Sequence, residues 1–267
     1  MKISVIIPTY KPLDYIWTCL DSLINQSYPK TDFEIIIVLN GTIEPYKTEI
    51  ERFIALKMQG MNVNFIHTEQ GGVSYARNLA LDAAKGEYVT FIDDDDFVSP
   101  SYLDELYRKA DENTISVCYP LSFVDGTDNY EPYLITGDYI RNAGKGKCDF
   151  KIARKFFSGP VYKLISKKMI GERRFDNRFK NGEDSLFMFL ISDKFKYVDF
   201  TSKNAIYYRR IREGSAVMVK RKFFERFKNQ MKIIKEYSRI WVSSFFMYSF
   251  SFYITRILGA LRAIFVR

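Results

Sequence analysis

Four consecutive carboxylates, Asp93-Asp94-Asp95-Asp96, follow directly on the run Tyr88-Val89-Thr90-Phe91-Ile92. The aromatic and β-branched run reads as a buried strand. The aspartates cannot extend a sheet, because like charges in sequence repel one another and resist desolvation. Such a cluster alone is a solvated turn, but at the carboxyl end of a buried strand it stands where open α/β sheets place their ligands. A hard divalent cation carrying phosphate oxygens is the partner that would stabilise it. Neither His nor Cys stands nearby, so magnesium or manganese suits these donors better than zinc.

A second acidic site is Gly182-Glu183-Asp184, where a glycine turns into two acids and then a helix carrying Leu186, Phe187, Phe189, Leu190 and Ile191. Both acids are equally explained as first-turn residues favoured by the helix dipole. Paired glycines at Gly71-Gly72 open a third segment, in which Arg77 projects from the first turns of a helix reaching about Lys85. A glycine turn there admits ligand oxygens to backbone amides, although the same pattern also makes an ordinary cap.

These groups need a sheet to hold them. Residues 3–7 form a compact apolar run closed by Pro8-Thr9-Tyr10, and residues 33–39 form a second, closed by Asn40-Gly41-Thr42. Between them, Ile16, Trp17, Leu20, Leu23 and Ile24 repeat at helical spacing within residues 13–25. Strand, helix and strand with short turns predict a right-handed parallel crossover. A helix over residues 49–58 and a weakly alternating strand over 63–67 follow. The expected fold is therefore α/β, with the acidic run and the glycine turn at one sheet edge. Residues 125–150 are rich in Gly, Asp, Asn and Tyr with little periodicity, and are expected to form a mobile loop over donor or acceptor.

The motifs taken together resemble the family-2 glycosyltransferases of the bacterial cell-surface polysaccharide type, which have the GT-A fold. The elements are Ser4-Val5-Ile6-Ile7-Pro8-Thr9-Tyr10, Asn40-Gly41-Thr42, Gly72 with Ala76-Arg77-Asn78, Gly86-Glu87-Tyr88 leading into the aspartates, Gly182-Glu183-Asp184, and Tyr207-Tyr208-Arg209-Arg210 with Ser215. The resemblance implies a Rossmann-like mixed sheet flanked by helices over residues 1–215. It places Pro8, Thr9, Tyr10, Asn40 and Arg77 around the nucleotide of a sugar donor, a UDP-sugar in the commonest case. Asp93, Asp94 and Asp95 correspond to the Asp-x-Asp motif, with Asp95 the direct ligand of Mn2+ or Mg2+ and Asp93 on the ribose or a metal-bound water. Many members have an acidic pair before the glycine of the second turn; this chain has Leu39-Asn40.

Inverting transfer to a saccharide or lipid-linked glycan requires a base for the acceptor hydroxyl, and the resemblance assigns that role to Asp184 with Glu183 as its neighbour. Burial and Glu183 are expected to raise Asp184 from the ordinary carboxylate range. The only histidine, His67, has no catalytic partner and is expected to be structural. Lacking the distal histidine of some GT-A enzymes, the chain is expected to use Arg209, Arg210 or Arg212 on the diphosphate, Arg210 foremost. Ser158-Gly159-Pro160-Val161 is the expected acceptor floor.

Charge separates the two ends of the chain. Residues 216–267 carry eleven Lys and Arg against two Glu, whereas residues 1–215 carry 29 bases and 30 acids. This favours one anionic contact made by the tail, not a nucleic-acid surface spread over the fold. The expected tail is a basic amphipathic helix over 220–239 with Phe223, Phe224, Phe227, Met231 and Ile234 on one face. The uncharged run 240–255 then has sixteen residues, about 24 Å as a helix and short of the roughly 30 Å of a bilayer core. Arg256, Arg262 and Arg267 are expected in the headgroup layer of an anionic membrane, the alternative being a helical pair packed on the protein. Three separated cysteines and the lack of a signal segment point to a reducing, cytoplasmic setting, peripheral on the inner face of the membrane. Two rival functions remain, a nucleotidyltransferase acting on a sugar phosphate and a non-catalytic basic module for membranes or nucleic acid.

Overall fold

The computed structural model describes residues 1–212, 222–244 and 247–265. Gly214, Ser215, the expected division at 215/216, residues 220 and 221 of the expected tail helix and Arg267 lie outside the described residues.

The amino-terminal half alternates strand and helix: β1 (Ile3–Thr9), α1 (Tyr15–Ile24), β2 (Phe33–Asn40), α2 (Tyr46–Lys57), β3 (Asn62–Thr68), α3 (Val73–Ala83) and β4 (Tyr88–Phe91). β1 pairs in parallel with β2, Ile3 opposite Phe33, and with β4, Ile3 opposite Tyr88. Every residue of β1 and β2 is buried, as expected for parallel strands covered on both faces. β3 is the edge strand and is only half-buried, which explains its weak apolar alternation. Gly86 is required just before β4: a Cβ there would lie 2.5 Å from the Ser4 backbone nitrogen.

The second half contains β5 (Phe97–Val98), α4 (Tyr102–Lys109), β6 (Thr114–Val117), β7 (Tyr119–Val124), β8 (Tyr130–Pro132), α5 (Thr136–Asn142), β9 (Cys148–Asp149) and a 3₁₀ segment (Phe150–Ser158). It continues through β10 (Lys163–Ser166), α6 (Lys167–Ile170), α7 (Glu183–Leu190), β11 (Tyr197–Phe200) and β12 (Ile206–Ile211). The main sheet has the order β3-β2-β1-β4-β10-β6-β11-β9, in which β10 runs antiparallel to both neighbours. A smaller sheet, β5-β12-β7-β8, stands beside it. The mixed α/β architecture agrees with expectation.

Residues 125–150 do not form the expected mobile loop. β8, α5 and β9 lie there, anchored by a few buried groups: Thr136 Oγ1 donates to the Pro120 carbonyl at 2.5 Å, and Tyr139 donates to the Thr201 carbonyl at 2.6 Å. The polar composition hides these anchors because its small residues occupy the turns between them.

The tail forms α8 (Phe223–Ser243) and α9 (Phe250–Phe265), which pack together, with α8 also on α7. Phe189 of α7 meets the rings of Tyr237 at 5.1 Å, Tyr248 at 5.2 Å and Phe252 at 5.9 Å. The face of α8 that packs carries Ile233, Tyr237 and Ile240, spaced i, i+4, i+7. The expected apolar face is a different one: Phe223, Phe224, Phe227 and Met231 are exposed. Arg256 likewise turns inward, its guanidinium 4.4 Å above the Phe252 ring. Among the described residues, no helix is long and apolar enough to cross a membrane.

Candidate active site

The turn after β4 gives its four carboxylates different surroundings. Asp96 is buried and accepts from the Arg210 amide at 2.8 Å, so it braces the turn against β12. Asp94 accepts from Thr9 Oγ1 at the end of β1. Asp93 and Asp95 retain side-chain exposures of 38 % and 18 % and pair with arginines. Arg212 Nε donates to Asp95 Oδ2 at 2.8 Å. Burial, reinforced by the flanking carboxylates, pushes Asp94 up to about 7 against the opposing Thr9 hydrogen bond. Asp95 is raised by burial and by Asp93, with Arg212 opposing, and burial raises Asp96. Burial, more than repulsion within the cluster, thus disfavours full ionisation of these carboxyls.

One guanidinium joins the two acidic sites. Arg77, on the second turn of α3, is 3 % exposed, and its Nη2 reaches Asp93 Oδ1 at 3.0 Å while Nη1 reaches Asp184 Oδ1 at 2.6 Å. Its plane also lies 5.4 Å from the Phe175 ring. Gly182, at φ +85°, admits the chain to α7 and so directs Asp184 at this arginine. Burial raises Asp184 from 3.8, Arg77 opposes the rise, and Asp93 adds to it. Glu183, in the same first turn, is buried. A methyl group at Gly159 would stand 3.8 Å from Asp184 Oδ2, and Val161 bridges to Phe91 of β4. The 158–161 segment thus borders the carboxylate, where the acceptor floor is expected.

The ends of β1 and β2 converge on the same edge. Asn40 is engaged by backbone at both ends of its amide, donating to the Thr9 carbonyl at 2.7 Å and accepting from the Gly72 amide at 2.9 Å. It therefore fixes the distance between the first strand end and the glycine turn. Pro8 and Thr9 are buried, whereas Tyr10 is 56 % exposed beside Gly41. Gly41, at φ +87°, is needed there, since a Cβ would fall 2.8 Å from the Tyr10 ring. His67 lies 3.3 Å from the Gly41 carbonyl, a structural position as expected.

Of the expected diphosphate arginines, Arg210 is engaged by Asp125 at 2.5 Å and by the Asp95 carbonyl at 2.8 Å. Arg209 lies 4.9 Å above the Tyr133 ring. Arg210 and Arg212 line a cleft of about 920 Å³ together with Leu13, Tyr15, Thr18 and Asp125. Among the described residues no three His, Cys, Asp or Glu side chains form a metal cage. The donor set still fits a hard cation, because Mg2+ sites characteristically use one or two carboxylates and complete the shell with substrate phosphates and water.

Lys163 was not singled out from sequence, and Tyr207, quoted there within its motif, was given no role. Lys163 is fully buried, and its Nζ donates to the carbonyls of Gly159 at 2.5 Å and Val161 at 2.6 Å, holding the floor segment. A lone lysine inside the apolar stretch Val161-Tyr162-Lys163-Leu164-Ile165 was the available signal. Tyr207, also fully buried, accepts from the Asp93 amide at 3.2 Å and fixes the start of the acidic turn.

Residues 4–178 match the model of glycosyl transferase family 2. The chain is 30 % identical over 227 residues to the glycosyltransferase GlyG of Streptococcus pneumoniae, covering 80 % of this chain and 72 % of that one. It is 31 % identical over 229 residues to the poly(ribitol-phosphate) beta-glucosyltransferase of Bacillus spizizenii, covering 82 % of this chain but only 34 % of that longer protein. Among solved structures, S. aureus TarS 1-349 in complex with UDP-GlcNAc superposes with a TM-score of 0.75 at 23 % identity, covering 99 % of this chain and 73 % of that one. The acidic turn, the glycine-led helix and the buried arginine between them thus occur in a matched sequence background as well as a matched fold, and the chain belongs to glycosyl transferase family 2.

Proposed function

We propose that residues 1–215 form an inverting, metal-dependent transferase unit, with residues 216–267 as its appendage. It moves a sugar from a nucleoside diphosphate donor, a UDP-sugar, to a hydroxyl of a saccharide or lipid-linked glycan. The observation that carries this is the Arg77 bridge, which holds Asp184 against the Asp93–Asp95 rim, within reach of one substrate. The acceptor oxygen attacks the anomeric carbon, its proton passes to Asp184, and the bond to the diphosphate breaks with its electron pair leaving on that group. Asp95 and Asp93 would hold Mn2+ or Mg2+, and such a cation would supply charge neutralisation for the departing diphosphate. Pro8, Thr9, the open ring of Tyr10, Asn40, Arg77 and Asp94 frame the nucleotide, with Arg210 and Arg212 on its phosphate side. Glu183 supports Asp184.

UDP-GlcNAc, the nucleotide sugar in the TarS complex, is the natural first donor to try. The test is a panel of nucleotide sugars assayed for sugar transfer and hydrolysis with Mn2+, with and without EDTA. One preferred UDP-sugar and EDTA-sensitive turnover are expected; pyrophosphate release from a nucleoside triphosphate would instead assign a nucleotidyltransferase.

The exposed Phe223, Phe224, Phe227 and Met231 on a basic helix support a second element, peripheral binding of the tail to an anionic inner membrane face. Because α8 contributes to the core, a point charge tests this better than truncation. Phe224→Glu is expected to abolish flotation with phosphatidylglycerol vesicles, and retained flotation would refute tail binding.

A further inference from the structure

A cavity of about 270 Å³ opens between α7, α8 and α9, lined by Ser158, Gly182, Ser185, Gln230, Tyr237 and Arg256 among others. Its wall begins one residue from the proposed chemistry. Ser158 precedes Gly159, which borders Asp184, and Gly182 precedes Glu183. At roughly 30 Å³ per water, the space exceeds what one or two solvent molecules require.

The cation in this wall is under-compensated. Arg256 donates from Nη2 to the Arg154 carbonyl at 2.7 Å and from Nη1 to Ser158 Oγ at 3.3 Å, while its buried Nε finds no hydrogen-bond partner. Among the described residues, no carboxylate forms an ion pair with it. Burial, with the Arg154 charge adding to it, lowers its guanidinium to about 10 against the opposing Tyr237. Arg256 as a whole is half-buried, and a half-buried guanidinium without a counter-ion is stabilised when an anion completes it. Polar side chains line the cavity from three helices, Gln230 from α8, Arg256 from α9, and the hydroxyls of Ser185 of α7 and Tyr237 of α8, which lie 2.7 Å apart and bond to each other. Groups converging from separate directions suit a tetrahedral oxyanion better than a planar carboxylate.

We propose that this cavity binds a phosphate group of the acceptor, with Arg256 as its cationic anchor. The inference rests on the transferase reading above, and it deepens that reading by giving the acceptor a phosphate close to the hydroxyl that Asp184 deprotonates. The phosphate belongs either to a polyol phosphate within the glycan or to a lipid headgroup.

The full chain is tested with UDP and Mn2+ at saturation, so that the donor diphosphate position is filled. Inorganic phosphate, glycerol 1-phosphate and acetate are then compared by thermal shift. A phosphate ligand at ten times its Kd raises the midpoint by roughly 3–6 °C in a chain of this size. Arg256→Gln is expected to remove the rise while UDP affinity persists. Gly259→Leu is a second variant, because a Cβ at this lining position meets nothing within 4 Å and the longer side chain fills the cavity with Arg256 left in place. A rise with glycerol 1-phosphate, lost in both variants, assigns a polyol phosphate. No response to glycerol 1-phosphate, but Arg256-dependent sedimentation with phosphatidylglycerol and not phosphatidylcholine vesicles, assigns a lipid phosphate. The proposal is overturned by a rise that survives both variants, by an equal rise with acetate, or by no response in either arm. Failure of the wild type to bind UDP would instead strike the donor reading.

Discussion

Replacing Asp184 by Asn removes one negative charge and one proton acceptor while preserving shape. The structural cost is small. Arg77 keeps its pair with Asp93 at 3.0 Å, and the Asn carbonyl oxygen can still accept from Nη1 across the present 2.6 Å. Loss of a charge-assisted hydrogen bond, about 1.5–3 kcal/mol, is offset by the desolvation and Asp93 repulsion that already raise the carboxyl. A net change of about 1 kcal/mol moves the thermal midpoint by roughly 2–4 °C in a chain of this length. The catalytic cost is large, since a positioned general base contributes about 10²–10⁴ in rate, or roughly 2.7–5.4 kcal/mol of barrier. UDP release under saturating donor and acceptor measures the catalytic loss, calorimetric titration with UDP measures donor affinity, and a thermal scan measures the structural cost. Turnover within tenfold of wild type refutes the base. A midpoint drop above 10 °C with lost UDP affinity refutes it differently, by making Asp184 a brace for Arg77. Because Asp184 is held above 3.8, the acid limb of kcat/KM is expected above that value, where an ordinary aspartate would still be ionised.

Arg77→Gln leaves Asp93 and Asp184 facing each other without their shared cation. We expect about 3 kcal/mol of destabilisation, less than for fully buried partners because both acids retain side-chain exposure, as read by urea unfolding. Lys163 is lowered to about 7 by burial, so the folded state binds fewer protons than the unfolded state between that value and 10.5. Stability therefore rises with pH across this window, and the wild-type midpoint is expected to increase from pH 7 to 9 while that of Lys163→Met does not. Gly86→Ala drives a methyl group to 2.5 Å from the Ser4 backbone nitrogen. Overpacking of this kind costs about 1–3 kcal/mol, so a thermal midpoint equal to wild type would contradict the packing described here.

The parallel half of the molecule was legible because β1 and β2, Ile3–Thr9 and Phe33–Asn40, are long, buried on both faces and closed by turn residues, which frames the weaker β3 and the shorter β4. The site edge was legible for the same reason, since Asp93 and Arg77 sit directly after a strand and inside a glycine-led helix. β9 and β10 were not, because two residues at Cys148–Asp149 and four at Lys163–Ser166 are too short to show a period. The packed face of α8 is not evident in the sequence, because Phe223, Phe224 and Phe227, which mark the exposed face, are larger and more numerous than Ile233 and Ile240. Burial follows from where Phe189 and Tyr237 meet, a long-range contact that local periodicity does not encode. The bracing of Asn40 between the first strand end and the glycine turn also could not be foreseen, since it depends on three chain segments converging.

The antiparallel strand β10 enters the sheet beside β4 from the opposite direction. Its incoming end therefore delivers Gly159 and Val161 to the same rim that β4 reaches with its outgoing end. Nearly seventy residues intervene between Phe91 and Val161 along the polypeptide, and they supply β6 of the same sheet as well as β7 and β8 of the smaller one. Remodelling β8, the exposed edge strand of that span, would leave the carboxylates beneath in register.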